Sequence, residues 1–139
     1  MQTAASTTKS YPRGPIFWEG DKADSMYVIR SGKVKVTKRV RGIMVKLAEL
    51  GPGDYFGEMA LLDGVARSAS ALAETHVEVD EYDRDALARR ISADPEFAIA
   101  MMQAMSRRLR EVDERLADLV AKGRLEWQDA AGIGTHGLC

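Results

Sequence analysis

Hydrophobic and polar residues alternate with a period of two through much of the first half of the chain. The alternating apolar positions are Val34, Val36, Ile43, Val45 and Leu47. Turn signals separate these runs at Ser31-Gly32, Arg41-Gly42 and Gly51-Pro52-Gly53-Asp54. Half-buried strands have this period, and turns rich in glycine and proline connect neighbouring strands. The pattern predicts a small β-barrel or β-roll that ends near Tyr82.

After Tyr82 the pattern becomes helical. Residues Asp83 to Ile91 predict a short helix, and Asp94-Pro95-Glu96 has the N-cap, proline and first-turn acid that begin a longer helix. Apolar residues then recur at spacings of three and four, at Met102, Met105, Leu109, Val112, Leu116 and Leu119. This seam fits a helix packed on its own β-domain, or a helix paired with the same helix of a second chain. We expect a homodimer through Leu109, Val112, Leu116 and Leu119.

Composition places the chain among ordinary globular proteins. Its 139 residues are 45% apolar and 29% charged, with a net charge of −1, so a binder of nucleic-acid backbone is not favoured. No apolar run approaches the roughly 18 residues of a membrane span, and the polar N-terminus is unlike a secretory signal. The single cysteine, Cys139, fits a reducing compartment. We therefore expect a cytoplasmic protein that does not enter a membrane.

Catalysis has little support in the sequence. Small β-rolls can hold a metal through clustered histidines, whereas this chain has only His76 and His136. One cysteine cannot build an iron–sulfur site, and no nucleophile–base pair stands out. We expect no metal site, no cofactor and no enzymatic activity.

One segment, FGEMALLDGVARS from Phe56 to Ser68, carries a carboxylate near its start and a guanidinium near its end. A short helix that begins near Gly57 would direct free N–H groups toward an anion. Arg67 would add a planar, permanently charged donor group for phosphate oxygens. Glu58 suits a sugar hydroxyl, because a carboxylate repels a phosphate. Either residue alone has an ordinary explanation, as a helix-dipole acid or a solvated arginine, but together they predict a site for an anionic ligand that carries a ribose.

The segment resembles the phosphate-binding cassette of the cyclic nucleotide-binding domain family, in which Phe-Gly-Glu precedes an apolar run and an arginine followed by small residues. Upstream motifs similar to the family's β-roll are Glu19-Gly20-Asp21, Tyr27-Val28-Ile29, Ser31-Gly32-Lys33-Val34 and Gly51-Pro52-Gly53-Asp54. Downstream motifs that resemble the hinge and C-helix of the family's bacterial regulators are Asp94-Pro95-Glu96 and Arg107-Arg108-Leu109. The resemblance covers roughly residues 13–120, with the motifs in the same order.

The resemblance implies an α+β, mainly β fold: an antiparallel double-stranded β-roll of jelly-roll type, followed by C-terminal helices of which the last is long. The implied cyclic nucleotide-binding domain spans residues 13–122, with the roll at about residues 13–82 and the helices at about residues 83–122. Polar composition adds a flexible arm at residues 1–12, and a tail follows at residues 123–139.

The resemblance also implies how the sugar and phosphate would be held. Glu58 would bind the ribose 2′-OH, and Arg67 would bind the cyclic phosphate with help from Ser68. The backbone N–H groups of Gly57, Glu58, Met59 and Ala60 would complete the phosphate site. The implied ligand is cAMP, with cGMP possible.

The base would lie against an apolar wall and the C-helix. The residues that resemble the wall are Val36, Leu47 and Ala48. Arg108 matches a C-helix arginine that lies near the base and the sugar-binding glutamate in the bacterial regulators. Val112 and Asp113 stand where the cAMP regulators carry a Thr-Ser pair that reads the adenine edge. Asp113 can accept a hydrogen bond from an exocyclic amine but cannot donate one, which leaves the choice of base open.

Three further features depart from the family pattern. Ala66 stands where the family has a proline before the arginine, which removes some stiffness from the loop. The helices that normally precede the roll are nearly absent, and too few residues follow Leu119 for a helix-turn-helix domain. We therefore expect no DNA binding by this chain alone.

The resulting hypothesis is a regulatory module that binds a cyclic nucleotide and signals to an unidentified protein partner through movement of its C-terminal helix. One alternative is a degenerate β-roll that serves as an oligomerisation or docking module without a cyclic nucleotide. Another is a domain that binds a different nucleotide, such as a cyclic dinucleotide.

Overall fold

The computed structural model describes residues 6–123, and these form eight β-strands and three helices. The strands are β1 (Thr7–Tyr11), β2 (Gly14–Phe17), β3 (Ser25–Ser31), β4 (Val34–Val40), β5 (Ile43–Leu50), β6 (Tyr55–Phe56), β7 (Ser70–Ala73) and β8 (Val77–Asp83). The helices are α1 (Glu58–Asp63), α2 (Arg84–Ala93) and α3 (Pro95–Ala121). The chain divides into two compact units between Ala93 and Asp94, so the strands with α1 and α2 belong to the first unit and α3 to the second.

The first unit is a two-sheet β-roll. One antiparallel sheet has the strand order β1-β8-β3-β6, and the other has the order β2-β7-β4-β5. Nearly every connection carries the chain from one sheet to the other, and only β4 and β5 are consecutive strands that pair within a sheet. Together with the 27-residue helix α3, this architecture confirms the predicted β-roll followed by helices, the last one long.

The core of the first unit lies between the two sheets. It consists of Tyr27, Ile29, Val34, Leu50, Phe56, Ala71, Ala73, Val77 and Val79. Strand β8 shows how the sequence builds this core, because Val77 and Val79 are fully buried while Glu78 between them is exposed. Burying one such aliphatic side chain contributes about 1.5–3 kcal/mol, so alternation along several strands stabilises this arrangement of faces.

The predicted flexible arm at residues 1–12 is wrong for residues 7–11, which form strand β1. This strand pairs antiparallel with β8, with Thr7 opposite Glu81 and Tyr11 opposite Val77. Its first four residues are exposed, so the hydrophobic pattern carried no signal for it. Backbone pairing and polar cross-strand contacts hold it instead, among them an ion pair of 2.5 Å between Lys9 and Glu81.

Helices α2 and α3 begin within a residue or two of their predicted starts. Asp83 ends β8, and its carboxylate accepts a hydrogen bond of 2.8 Å from the Ala86 N–H in the first turn of α2. Helix α3 begins at Pro95, as the sequence motif predicted. In the predicted seam Leu109, Leu116 and Leu119 are half-buried, and Val112 is 54% exposed. The homodimer therefore remains a prediction, and the predicted tail lies outside the described residues from residue 124 onward.

Candidate functional site

The candidate site begins where strand β6 turns into helix α1. Gly57 has φ 81° and ψ 5°, a left-handed conformation that glycine adopts without strain. This turn places Glu58 at the first position of α1, where its side chain is buried with only 8% exposed. Ala60 is also buried, whereas Met59 points outward with 55% of its surface exposed. The structure thus places a buried acidic residue in the first turn of a helix, directly after the Gly57 turn.

Arg67 lies against the same turn. Arg67 is 5% exposed, and its Nη1 donates a hydrogen bond of 2.9 Å to the carbonyl oxygen of Gly57. A Cβ placed on Gly57 would lie 2.6 Å from this Nη1, so a side chain at that position cannot coexist with the observed guanidinium. The two ends of the predicted segment therefore meet in space, ten residues apart in the chain.

The Arg67 guanidinium lies over the faces of two aromatic rings. The Cζ atom of Arg67 lies 4.0 Å from the centre of the Phe17 ring and 5.6 Å from that of Tyr27. The Tyr27 ring in turn stacks on Phe56 with a centroid distance of 4.9 Å. Sequence reasoning did not find Phe17, because it lies fifty positions before the arginine and carries no spacing signal. A cation against aromatic faces is stabilised when water is excluded, which compensates part of the cost of its burial.

The Nε–H group of Arg67 is a buried donor with no acceptor among the described residues. A buried charged donor without a partner costs free energy, and native proteins rarely retain one without a use. An anion with an oxygen in reach would satisfy this donor and the positive charge together.

The residues after Arg67 differ in exposure. Ser68 is exposed, and its carbonyl oxygen accepts a hydrogen bond of 2.6 Å from the Nζ of Lys38. Ser70 is buried, and its Oγ accepts a hydrogen bond of 2.8 Å from the Glu19 N–H. The Arg39 N–H and the Lys38 ammonium hold the pKa of the Glu19 carboxyl below its ordinary value, so this carboxylate is charged at neutral pH.

The predicted apolar wall is brought together in part. Val36 pairs with Ala48 on one side and Ala71 on the other, and both Val36 and Ala48 pack half-buried against the core. Leu47 falls at the register shift between β4 and β5, where it has no direct partner, and is 39% exposed. Its place in a base-binding wall remains a prediction.

The predicted C-helix residues lie on α3 in the second unit. Arg108 and Asp113 are half-buried and Val112 is exposed. One carboxylate oxygen of Asp113 is shielded from solvent and lacks a hydrogen-bond partner among the described residues. Roles for these three residues in ligand binding remain predictions.

Two features are absent from the described part of the chain. Residues 6–123 contain no cluster of three histidine, cysteine or acidic side chains arranged to hold a metal ion. No helix within these residues is both long and apolar enough to cross a membrane.

The sequence is similar to a known protein family and to several of its members. A family model for the cyclic nucleotide-binding domain matches residues 8–94. A CRP-like cAMP-activated global transcriptional regulator of Mycobacterium tuberculosis is 40% identical over 112 residues, which cover 79% of this chain and 50% of that protein. The chain belongs to the cyclic nucleotide-binding domain family.

Solved structures of relatives share the fold. The crystal structure of the Thermus thermophilus catabolite activator protein matches with a TM-score of 0.75 and 39% identity, over 84% of this chain and 55% of that one. The c-di-GMP responsive global regulator of Xanthomonas campestris matches with a TM-score of 0.74 and 28% identity, over 85% of this chain and 60% of that one. The chain spans about half the length of the curated regulators it matches.

Proposed function

We propose that this chain binds a cyclic nucleotide, with cAMP the preferred ligand, and relays the binding to a protein partner. The observation that carries the proposal is the buried Arg67 guanidinium, whose Nε has no partner among the described residues. A cyclic phosphodiester carries one negative charge and oxygens that accept hydrogen bonds. Binding it at Arg67 would satisfy both the charge and the open donor.

The ribose would be bound by Glu58. Its carboxylate is buried at the first position of α1, next to the Gly57 turn that contacts Arg67. A buried carboxylate accepts strong hydrogen bonds from hydroxyl groups, whereas a second anion beside it is unfavourable. The sugar therefore takes the Glu58 side of the site and the phosphate takes the Arg67 side. The N–H groups from Gly57 to Ala60 and the Ser68 hydroxyl would add donors to the phosphate.

The base would lie over the paired residues Val36 and Ala48, whose small or branched side chains leave an apolar surface beside the core. An acceptor at Asp113 would suit the exocyclic amine of either adenine or guanine, so the preference for cAMP rests on the similarity to cAMP-activated regulators. Arg108 and Val112 would complete the surroundings of the base from α3.

The signal would pass through α3. Ligand binding can shift α3 only to the extent that the two positions of the helix bind the ligand with different affinity. A homodimer through the seam would transmit that shift to a partner protein. The seam residues are Leu109, Val112, Leu116 and Leu119. The cytoplasm, where cyclic nucleotides act as messengers, would be the place of this function.

A cyclic dinucleotide is the second candidate ligand. The similarity to a regulator described as c-di-GMP responsive favours it, and Val112-Asp113 leaves the base position without a hydroxyl pair. Such a ligand carries two phosphodiesters, so it would need a second cation besides Arg67. A roll that serves only as an oligomerisation or docking module is the remaining alternative, and it requires that no cyclic nucleotide binds.

Calorimetric titration with cAMP, 2′-deoxy-cAMP, cGMP and c-di-GMP tests these assignments. We expect saturable binding of cAMP, weakened about tenfold or more when the ligand lacks its 2′-OH, since a hydrogen bond to a charged group contributes about 1.5–3 kcal/mol. The Glu58→Gln variant should bind cAMP less tightly and lose most of this discrimination. Glu78→Gln, which changes an exposed carboxylate on β8, should behave as wild type.

Three results would contradict the proposal. They are a lack of saturable cAMP binding at millimolar ligand, equal affinity for cAMP and its 2′-deoxy form, and tighter binding of c-di-GMP than of cAMP.

A further inference from the structure

The backbone of Arg67 is held on both sides by the turn that follows β2, named here the 18–21 turn. The Gly20 N–H donates a hydrogen bond of 2.8 Å to the Arg67 carbonyl oxygen, and the Arg67 N–H donates one of 2.9 Å to the Asp21 carbonyl oxygen. The turn also closes on itself, because the Trp18 N–H donates to the Asp21 carboxylate at 2.9 Å. The 18–21 turn therefore fixes the backbone of Arg67 through two hydrogen bonds and is itself closed by a third.

Lys38 and Glu19 tie this turn to strand β4 and to the residue after the arginine. The Lys38 Nζ donates a hydrogen bond of 2.6 Å to the Ser68 carbonyl oxygen and lies 3.4 Å from the Glu19 Oε2. The other carboxylate oxygen of Glu19 accepts a hydrogen bond of 3.1 Å from the Arg39 N–H. Since the backbone N–H of Glu19 also donates to the buried Ser70 Oγ, this one residue links the 18–21 turn to β4 through its side chain and to β7 through its backbone.

The segment that leads to Arg67 is held at its start, where the Gly64 and Val65 N–H groups donate to the Ala60 carbonyl oxygen at 2.9 and 3.3 Å. Residues 64–66 belong to no helix or strand and are exposed. A guanidinium that must stay between the Phe17 ring and the Gly57 carbonyl oxygen needs a fixed backbone, because small backbone shifts are enlarged along a long side chain. The 18–21 turn fixes the backbone of Arg67 itself, and the Lys38 contact with the carbonyl oxygen fixes that of Ser68.

We propose that Lys38 and Glu19 are positioning residues for ligand binding, which hold the Arg67 backbone so that its guanidinium meets an anionic ligand. The consequence for ligand affinity rests on the proposed function. The consequence for the backbone of the turn does not, because its hydrogen bonds join groups of this chain alone.

The test compares Lys38→Met with Lys46→Met. Both lysines are about equally exposed and each contacts a glutamate, but Lys46 lies on β5 and pairs with Glu49. Amide hydrogen exchange in the unliganded protein reports on the Gly20 and Arg67 N–H groups directly. In Lys38→Met we expect these two amides to exchange at least about threefold faster than in Lys46→Met, and cAMP to bind about three- to tenfold more weakly. Lys38→Arg, which keeps the charge and the donors, should restore both values.

Each readout can overturn the proposal on its own. Equal exchange at Gly20 and Arg67 in the two methionine variants would show that Lys38 does not hold the turn. Faster exchange with unchanged cAMP affinity would show that the turn does not position the arginine for a ligand. Wild-type protein that binds no cAMP would refute the proposed function, and the exchange rates of the unliganded variants would still decide whether Lys38 fixes the Arg67 backbone.

Discussion

We expect Arg67→Met to weaken cAMP binding by at least about 100-fold while leaving the unliganded protein folded. The substitution removes the charge and the open Nε donor of the proposed phosphate site, and each hydrogen bond between charged groups contributes about 1.5–3 kcal/mol. The methionine side chain retains apolar contact with the Phe17 ring. Calorimetric titration measures the binding loss.

The same variant separates a binding role from a structural one. Arg67 is buried and lies against the Phe17 ring, so its replacement by an apolar side chain of similar length should change the free energy of unfolding by no more than about 1 kcal/mol. Arg30→Met is the matched control, since Arg30 is 57% exposed in its side chain and makes polar contacts with Thr8 and Asp80 away from the site. Near-normal cAMP affinity in Arg67→Met would refute the phosphate site, and a large loss of stability would assign the arginine to the fold.

Gly57→Ala should disrupt the site through the backbone. Both Gly57 and Gly53 have positive φ, 81° and 89°, so alanine at either position costs about 1 kcal/mol of folding free energy. Only at Gly57 would the new Cβ meet another group, the Arg67 Nη1 at 2.6 Å, whereas the space around Gly53 is open. The guanidinium must then leave its position against the Gly57 carbonyl oxygen, which exposes or misplaces the donor meant for the ligand.

The comparison of the two alanine variants isolates that contact. We expect both variants to lower the free energy of unfolding, measured in urea, with Gly57→Ala the more destabilised by roughly 1 kcal/mol. Gly57→Ala should also weaken cAMP binding by about tenfold or more, and Gly53→Ala should leave it unchanged. Equal affinity in the two variants would show that Arg67 does not need its observed position to bind the ligand.

The sequence allowed most of the roll to be predicted because its strands bury one face. Val34 and Val36 in β4 follow the two-residue period, and the structure buries Val34 fully and Val36 in part. Strand β1 was missed because its first four residues are exposed and polar, and backbone pairing of such residues leaves no hydrophobic pattern. A strand at a sheet edge needs only a partner, and the partner lies about seventy residues away in the chain.

Contacts between residues that are far apart in the chain also limited what could be predicted of the site. Gly57, Glu58 and Arg67 share one short segment, and their spacing within it already indicated an anion site. Phe17 and Lys38 reach the arginine only through the folded roll, so no local signal marks them. The contributions predicted for Arg108, Val112 and Asp113 depend on how α3 meets a ligand, which a spacing on one helix does not specify.

The most direct test of the account follows the Arg67 Nε–H group itself by nitrogen–proton NMR while cAMP is added. The resonance is assigned by its disappearance in Arg67→Met. A phosphate oxygen that accepts a hydrogen bond from this N–H should move the signal downfield and slow its exchange with water, with a midpoint that matches the calorimetric affinity. If cAMP saturates the protein while the Arg67 Nε–H signal stays where it was, the phosphate lies elsewhere and the account is contradicted.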